Sequence, residues 1–161
     1  MKTVILMRHA KSSWKCPELS DKDRPLTKRG ERDAPRMGKL LKKEEIFPDR
    51  ILSSTAVRAA ATAEAVAQKL EYKEELTYLD SLYMAEPSAI IEALQAMPED
   101  VKRVLVVGHN PGMEGLAQIL GRKVVDLPTA AIAVIKVPIK DWAELNYGVE
   151  GELFGLFRPE H

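Results

Sequence analysis

Short apolar runs alternate along the chain with longer segments whose apolar residues recur every three or four positions. Residues 3–7 (TVILM) are β-branched and apolar without alternation, the pattern of a strand covered on both faces in a parallel sheet. Residues 26–43 follow with helical periodicity, introduced by Pro25 and with Thr27 available as a cap. A second strand is expected at 50–53 (RILS), then an Ala-rich helix at 55–70 with Ser54 or Thr55 as its cap. Residues 75–79 suit a short strand, and 87–97 a helix opening on Pro87, where the missing N–H costs little. The clearest strand signal is 103–107 (RVLVV), which passes through Gly108-His109-Asn110-Pro111-Gly112 into a helix that begins at Asn110 and runs to about residue 120. Residues 130–137 read as another strand, and 142–147 with 152–157 alternate around Gly148 and Gly151 as a hairpin does. This order predicts an α/β fold, a three-layer α/β/α arrangement around a mainly parallel sheet with a different C-terminal edge.

At 161 residues and 18.0 kDa the expectation is one domain, 1–161, burying roughly 70% of its unfolded surface without help from metals or disulfides. A hydrophobic content of 45% with 30% charged residues excludes a disordered or fibrous chain. The 24 Lys and Arg balance 24 Asp and Glu, so the basic excess that marks nucleic-acid or membrane-surface partners is missing, and neither is expected. The balance is uneven: residues 1–50 hold 14 basic and 8 acidic side chains, a basic third suited to drawing in an anion. The lone Cys16 leaves no intramolecular disulfide and fits a reducing compartment. No apolar run approaches the ~20 residues of a membrane span, and the opening MKTVILMRHA turns charged too soon for a signal peptide, so a cytoplasmic location is expected.

Ligands of open α/β sheets bind beyond the carboxyl ends of the strands. Arg8 and His9 end the first predicted strand, Arg58 falls in the first turn after the second, and His109 ends the RVLVV strand. The third histidine is the C-terminal His161. One such histidine alone reads as a hydrogen-bonding loop residue. Two histidines and two arginines at one rim form a cationic site that destabilises the fold unless an anion offsets it, and the arginine fork matches a phosphoryl dianion. A neutral imidazole there can attack phosphorus and split a hydrolysis into two easier steps. The arginines would lower the imidazole pKa below its ~6.5 reference and hold the equatorial oxygens through the transition state, while the second histidine can stay protonated and donate to the phosphate. Other phosphate chemistries fit less well. A cysteine phosphatase needs Arg six positions after its Cys, and Cys16 is followed there by Lys22. Asp21 and Asp23 form a D-x-D pair, but in a polar loop that suits a solvated or capping role. The chain has neither a nucleotide-phosphate loop nor a His-x-x-x-His metal pair, so no metal and no cofactor are expected. Trp14 and Lys15 belong to the mouth of the site or the surface, Met84 and Met113 to packing.

Four segments together carry a family resemblance. Leu6-Met7-Arg8-His9-Ala10 resembles the strand-terminal Arg-His-Gly signature of the histidine phosphatase superfamily, with its phosphoglycerate mutase-like fold. Ser53 to Glu64 resembles its Ser-x-x-x-Arg-Ala-x-x-Thr-Ala-Glu segment, and Val106 to Pro111 the segment of its second histidine. Asp23 to Gly30 (DRPLTKRG) resembles the Arg-Pro-Leu-Thr stretch of the small SixA-like phosphohistidine phosphatases. Together they span residues 3–120 in the family's order. The resemblance implies that His9 accepts the phosphoryl group, that Arg8 and Arg58 clamp it, that His109 completes the pocket, and that Arg24 and Ser12 contact phosphate or substrate.

Two departures stand out. Ala10 replaces glycine, which requires φ below zero. The family's general-acid position has no clean counterpart; Glu86 is the nearest candidate, and its place also suits a carboxylate at a helix N-terminus. An alkoxide leaving group without an acid loses on the order of 10²–10⁴ in rate, whereas a phosphorylated imidazole can leave already protonated. The resemblance with this gap implies hydrolysis of protein phosphohistidine through a phosphohistidine enzyme, without cofactor or metal, on a phosphorylated protein or small phosphorylated substrate. The alternatives are a phosphoprotein-binding module with little catalysis, and a small-molecule phosphomonoesterase or mutase that uses Glu86.

Overall fold

The computed structural model describes residues 1–160, so His161 lies outside the described residues. The strands are β1 (Lys2–Arg8), β2 (Arg50–Ser54), β3 (Thr77–Leu79), β4 (Arg103–Gly108), β5 (Ile132–Val137) and β6 (Glu152–Phe157), ordered β3-β2-β4-β1-β5-β6 in one sheet. β3, β2, β4 and β1 run parallel; β5 is antiparallel to β1 and β6 to β5. The helices are α1 (Lys28–Lys43), α2 (Val57–Leu70), α3 (Pro87–Gln95) and α4 (Gly112–Gly121).

Why the strands read as unbroken apolar runs is visible in the packing. Ile5 and Met7 of β1, with Leu105 and Val107 of β4, face the layer of α1 and α2, packing on Met37, Leu41, Ala63 and Val66. Val4, Leu6, Val104 and Val106 face the opposite layer, against Ile90, Leu94, Leu116 and Leu120 of α3 and α4. A central strand that buries both pleat faces has no position for a polar residue until it leaves the sheet. Past Lys2-Thr3 and Arg103 at the amino ends of β1 and β4, the next polar residues are Arg8-His9 and His109 at their carboxyl ends.

The C-terminal region corrects the hairpin expectation. Glu152–Phe157 pairs with Ile132–Val137, while 142–147 holds a single 3-10 turn at Trp142–Glu144. Trp142 and Leu145 are both buried. Their separation of three residues matches one 3-10 turn instead of a two-residue strand repeat. The indole Nε1 donates to the Val101 carbonyl at 2.7 Å, and the Glu144 carboxylate accepts from the Lys140 and Asp141 N–H groups. Helix starts also shift. Thr27 caps α1 as expected, accepting from the Gly30 N–H at 3.0 Å. Neither Ser54 nor Thr55 caps α2, whose N-cap is Ala56; the Ser54 oxygen accepts from the Ala56 N–H at 3.1 Å, just ahead of the helix. α4 starts at Gly112 instead of Asn110, and Asn110 Oδ1 accepts from the Glu114 N–H at 3.2 Å. Ala130 sits at φ 65, and β5, expected from 130, begins only at Ile132.

Two close approaches at the carboxyl rim demand glycine. A Cβ on Gly30 would lie 2.2 Å from the Lys11 carbonyl oxygen, and one on Gly112 would lie 1.9 Å from that of Ala85. These contacts seat the 11–27 and 80–86 loops against the helices that flank the strand ends. Gly112→Ala is therefore expected to lower the free energy of unfolding by about 1–3 kcal/mol, read as a reduced urea midpoint; an unchanged midpoint would show that the rim adjusts without strain.

Candidate active site

Parallel register brings the site together. Arg8 pairs with Gly108, so the next residues, His9 and His109, emerge side by side, and the His9 N–H donates to the Gly108 carbonyl at 3.0 Å. Their ring centroids stand 5.2 Å apart. Arg58, in the first turn of α2, reaches the same point and donates from Nη2 to His109 Nδ1 at 3.4 Å. Arg8, His9, Ser12, Arg24, Arg58 and His109 all line one cleft of about 310 Å³. A larger open groove of about 710 Å³ beside α2 and β3 carries no histidine or arginine. Glu86 does not join the cluster: it is the exposed N-cap of α3, outside the cleft lining, and its side chain makes no capping bond.

The hydrogen bonds assign the tautomers. His9 Nδ1 lies 2.7 Å from the Ala10 carbonyl oxygen, which can only accept, so Nδ1 carries the proton and Nε2 keeps its lone pair. His109 accepts from Arg58 at Nδ1, so its Nε2–H donates to the Ser54 hydroxyl oxygen at 2.7 Å. Ala10 avoids positive φ, as the replacement of glycine requires. Its N–H donates to Thr62 Oγ1 at 3.0 Å, and the Thr62 hydroxyl donates to the Arg58 carbonyl at 2.7 Å. One threonine thus ties the backbone beside His9 to the turn carrying Arg58.

Electrostatics leaves both rings neutral at pH 7. Burial, with help from the Arg58, Arg8 and Arg24 charges, lowers His9 to about 4 despite its bond to Ala10. Burial first, then His9 and Arg58, lowers His109 to about 3. His109 is therefore neutral before an anion arrives, because desolvation and neighbouring positive charge outweigh Asp21, which raises it; the protonated form expected over a phosphate belongs to the occupied site. Arg8 Nε and Arg58 Nε are buried without a hydrogen-bond partner among the described residues. Such donors cost about 1–3 kcal/mol each unless an acceptor reaches them.

Asp21 is the residue that sequence reasoning placed elsewhere. Its carboxylate accepts from Arg58 Nη2 at 3.0 Å, from Arg24 Nε at 3.1 Å and from the Tyr83 hydroxyl, while its carbonyl accepts from Arg58 Nη1 at 2.6 Å. The Tyr83 bond first, and then Arg58, hold this carboxyl down at about 2. Among the described residues Asp21 is the only carboxylate lining the cleft, and it faces the Arg58 and Arg24 charges; Asp23 has the local role, accepting from the Ser20 hydroxyl at 2.9 Å. The available signal was electrostatic, since a cluster of arginines requires a counter-charge and Asp21 stands three residues before Arg24. Arg24 also donates from Nη1 to Ser12 Oγ at 2.9 Å. Ser54 is the second such residue, considered only as a helix cap although it ends β2 beside His109. Met84 corrects the packing expectation: it is 50% exposed and lines the cleft, whereas Met113 is buried in the core. Among the described residues, no cluster of three or more His, Cys, Asp or Glu side chains is placed to hold a metal ion. No helix among them is long and apolar enough to cross a membrane.

Comparison with known proteins agrees with this geometry. The family model of the histidine phosphatase superfamily, branch 1, matches residues 4–83. The protein histidine phosphatase SixA, solved with tungstate, superposes with a TM-score of 0.83 at 28% identity, covering 98% of this chain and 97% of that one. A protein described as SixA from Nakamurella multipartitia gives 0.87 at 28% identity over 98% of this chain and 96% of that one. An uncharacterized chloroplastic protein of Arabidopsis thaliana is 31% identical over 170 residues, 98% of this chain and 78% of that protein. With two strand-terminal histidines and their arginines in one cleft of a phosphoglycerate mutase-like sheet, the chain belongs to the histidine phosphatase superfamily, in its SixA-like branch.

Proposed function

We propose that this cleft hydrolyses the phosphoryl group of protein phosphohistidine through a phosphohistidine formed on His9, without a metal ion. The phosphoryl oxygens take the donors of Arg8, Arg58 and Arg24, including the orphaned Nε groups, and Asp21 yields its arginines as the dianion arrives. His9 Nε2 attacks in line; the Nε2–P bond forms as the bond from phosphorus to the substrate imidazole breaks, and that imidazole departs neutral with the proton it already carries. Water then attacks the phosphorus of phospho-His9, and inorganic phosphate leaves. The dianion also favours the protonated form of His109, which Ser54 holds through Nε2. The same reading sets the reaction in the cytoplasm.

One observation carries the choice of N–P over O–P cleavage: among the described residues the only carboxyl group in the cleft, Asp21, is lowered to about 2 and so ionised at pH 7, and Glu86 stands outside it. An alkoxide would therefore leave without a proton donor. The expected result is that kcat/KM on a phosphohistidine peptide exceeds that on a phosphoserine peptide by about 10² or more. Equal rates on the two would refute N–P selectivity, and tight binding of the phosphohistidine peptide with no turnover above buffer would make the chain a binding module.

The pH dependence follows from the His9 shift. Only the neutral ring attacks, and a lowered pKa preserves that form as pH falls. With substrate titration allowed for, kcat/KM is expected to hold below pH 6 and to drop only toward about 4, the value to which His9 is lowered. A half-maximal point at the ordinary histidine value would mean that His9 is not desolvated in solution.

A further inference from the structure

We infer that Trp14 and Met84 form a platform for the leaving group, selecting phosphoryl groups carried on a flat ring that is cationic before it departs; this rests on the phosphatase reading above. Trp14 is 73% exposed and Met84 50% exposed, yet both line the cleft beside His9 and Arg58. An in-line attack from the His9 side sends the departing group toward the mouth, where these two side chains stand. Neither is a loosely placed surface residue. The Arg24 guanidinium lies 3.5 Å from the centre of the Trp14 ring, and the loop carrying that ring is pinned by a bridge between Ser12 and Leu26 and by the Ser13 N–H on the Pro25 carbonyl at 2.8 Å. Met84 holds φ at 48, a costly backbone for a side chain of its size, and its sulfur lies 3.8 Å from Arg58 Nη2.

With Arg24 against one face and most of the residue still exposed, the opposite indole face is open. An aromatic face attracts a planar cation. A phosphorylated imidazole that is protonated before its bond breaks is such a cation. A phenyl phosphate instead develops negative charge on its leaving oxygen, which an aromatic face does not favour. Phosphoramidate carries the same P–N bond and no ring at all. The platform therefore discriminates by the leaving group, whereas the arginines and histidines hold the phosphoryl group common to all three substrates.

The test compares kcat/KM for phosphoimidazole, phosphoramidate and phenyl phosphate in the wild type, Trp14→Leu, Trp14→Phe and Met84→Ala. Trp14→Leu is expected to lose about tenfold more on phosphoimidazole than on phosphoramidate, Trp14→Phe to recover most of that difference, and Met84→Ala to move the same ratio in the same direction. Equal losses on both N–P substrates would reduce Trp14 to a prop for Arg24 and overturn the proposal, as would no loss on either. A phenyl phosphate loss matching that on phosphoimidazole would overturn the cationic-ring selectivity. Wild-type turnover of phosphoramidate separates the two levels: without it the phosphatase reading fails, and with it an unchanged ratio sinks the platform alone.

Discussion

His9→Ala is expected to reduce kcat on phosphohistidine by about 10⁴ or more, because the variant loses the nucleophile and with it the two-step route. No other side chain takes over. The Ser12 hydroxyl is engaged by Arg24, and His109 donates its Nε2 proton to Ser54 while facing Arg58 with Nδ1. The residual rate should come from the arginine clamp acting on a water molecule. Stability should change little, since the His9 side chain makes one local hydrogen bond, to the carbonyl of its neighbour. Steady-state rates beside a thermal melt decide the matter: a large kinetic loss with a preserved melt assigns His9 to chemistry, and a rate near wild type removes it from the mechanism.

Arg58→Met should cost about 10³ in kcat/KM while leaving the fold as stable as before, or more so. Arg58 is 2% exposed, and its Nε has no acceptor among the described residues. Burying this cation with its Nε orphaned costs free energy that the pair with half-exposed Asp21 offsets only in part, and a flexible apolar side chain of similar size removes that cost. It also frees Asp21, which keeps Tyr83 and Arg24. During phosphoryl transfer the same guanidinium is needed, because charge spreads over oxygens that only fixed donors can hold. Opposite signs in activity and stability mark a residue kept for function against the preference of the fold. If both fell together, Arg58 would instead be a structural bridge between α2 and the Asp21 loop.

Much of this was legible before any coordinates. β1 and β4 bury both faces, so between Lys2-Thr3 or Arg103 at their starts and their carboxyl ends they carry no polar residue, and that is why Arg8-His9 and His109 stand out. Once those strands are parallel neighbours, one register brings both histidines to the same rim. What could not be read depends on where loops lie. Asp21 sits in a polar stretch whose sequence is satisfied equally well by water; only the course of the 11–27 loop across the cleft makes it the partner of Arg58 and Arg24. Met84 has the composition of a core residue, and its exposure follows from a left-handed turn at a non-glycine position, which sequence patterns rarely indicate. Trp142 and Leu145 misled through spacing, three apart where a short alternating stretch was read. Ser54 was visible as a polar strand end, but its use as a partner for His109 depends on β2 lying beside β4.

The central claim is that phosphorus becomes bonded to His9. Rapid-quench labelling with radioactive phosphohistidine peptide tests it directly. The expected result is a burst of protein-bound label approaching one equivalent, stable in alkali, lost in acid, mapped to the peptide containing His9 and missing from His9→Ala. Rapid turnover with no bound label, or label on any other residue at a catalytically competent rate, would contradict it.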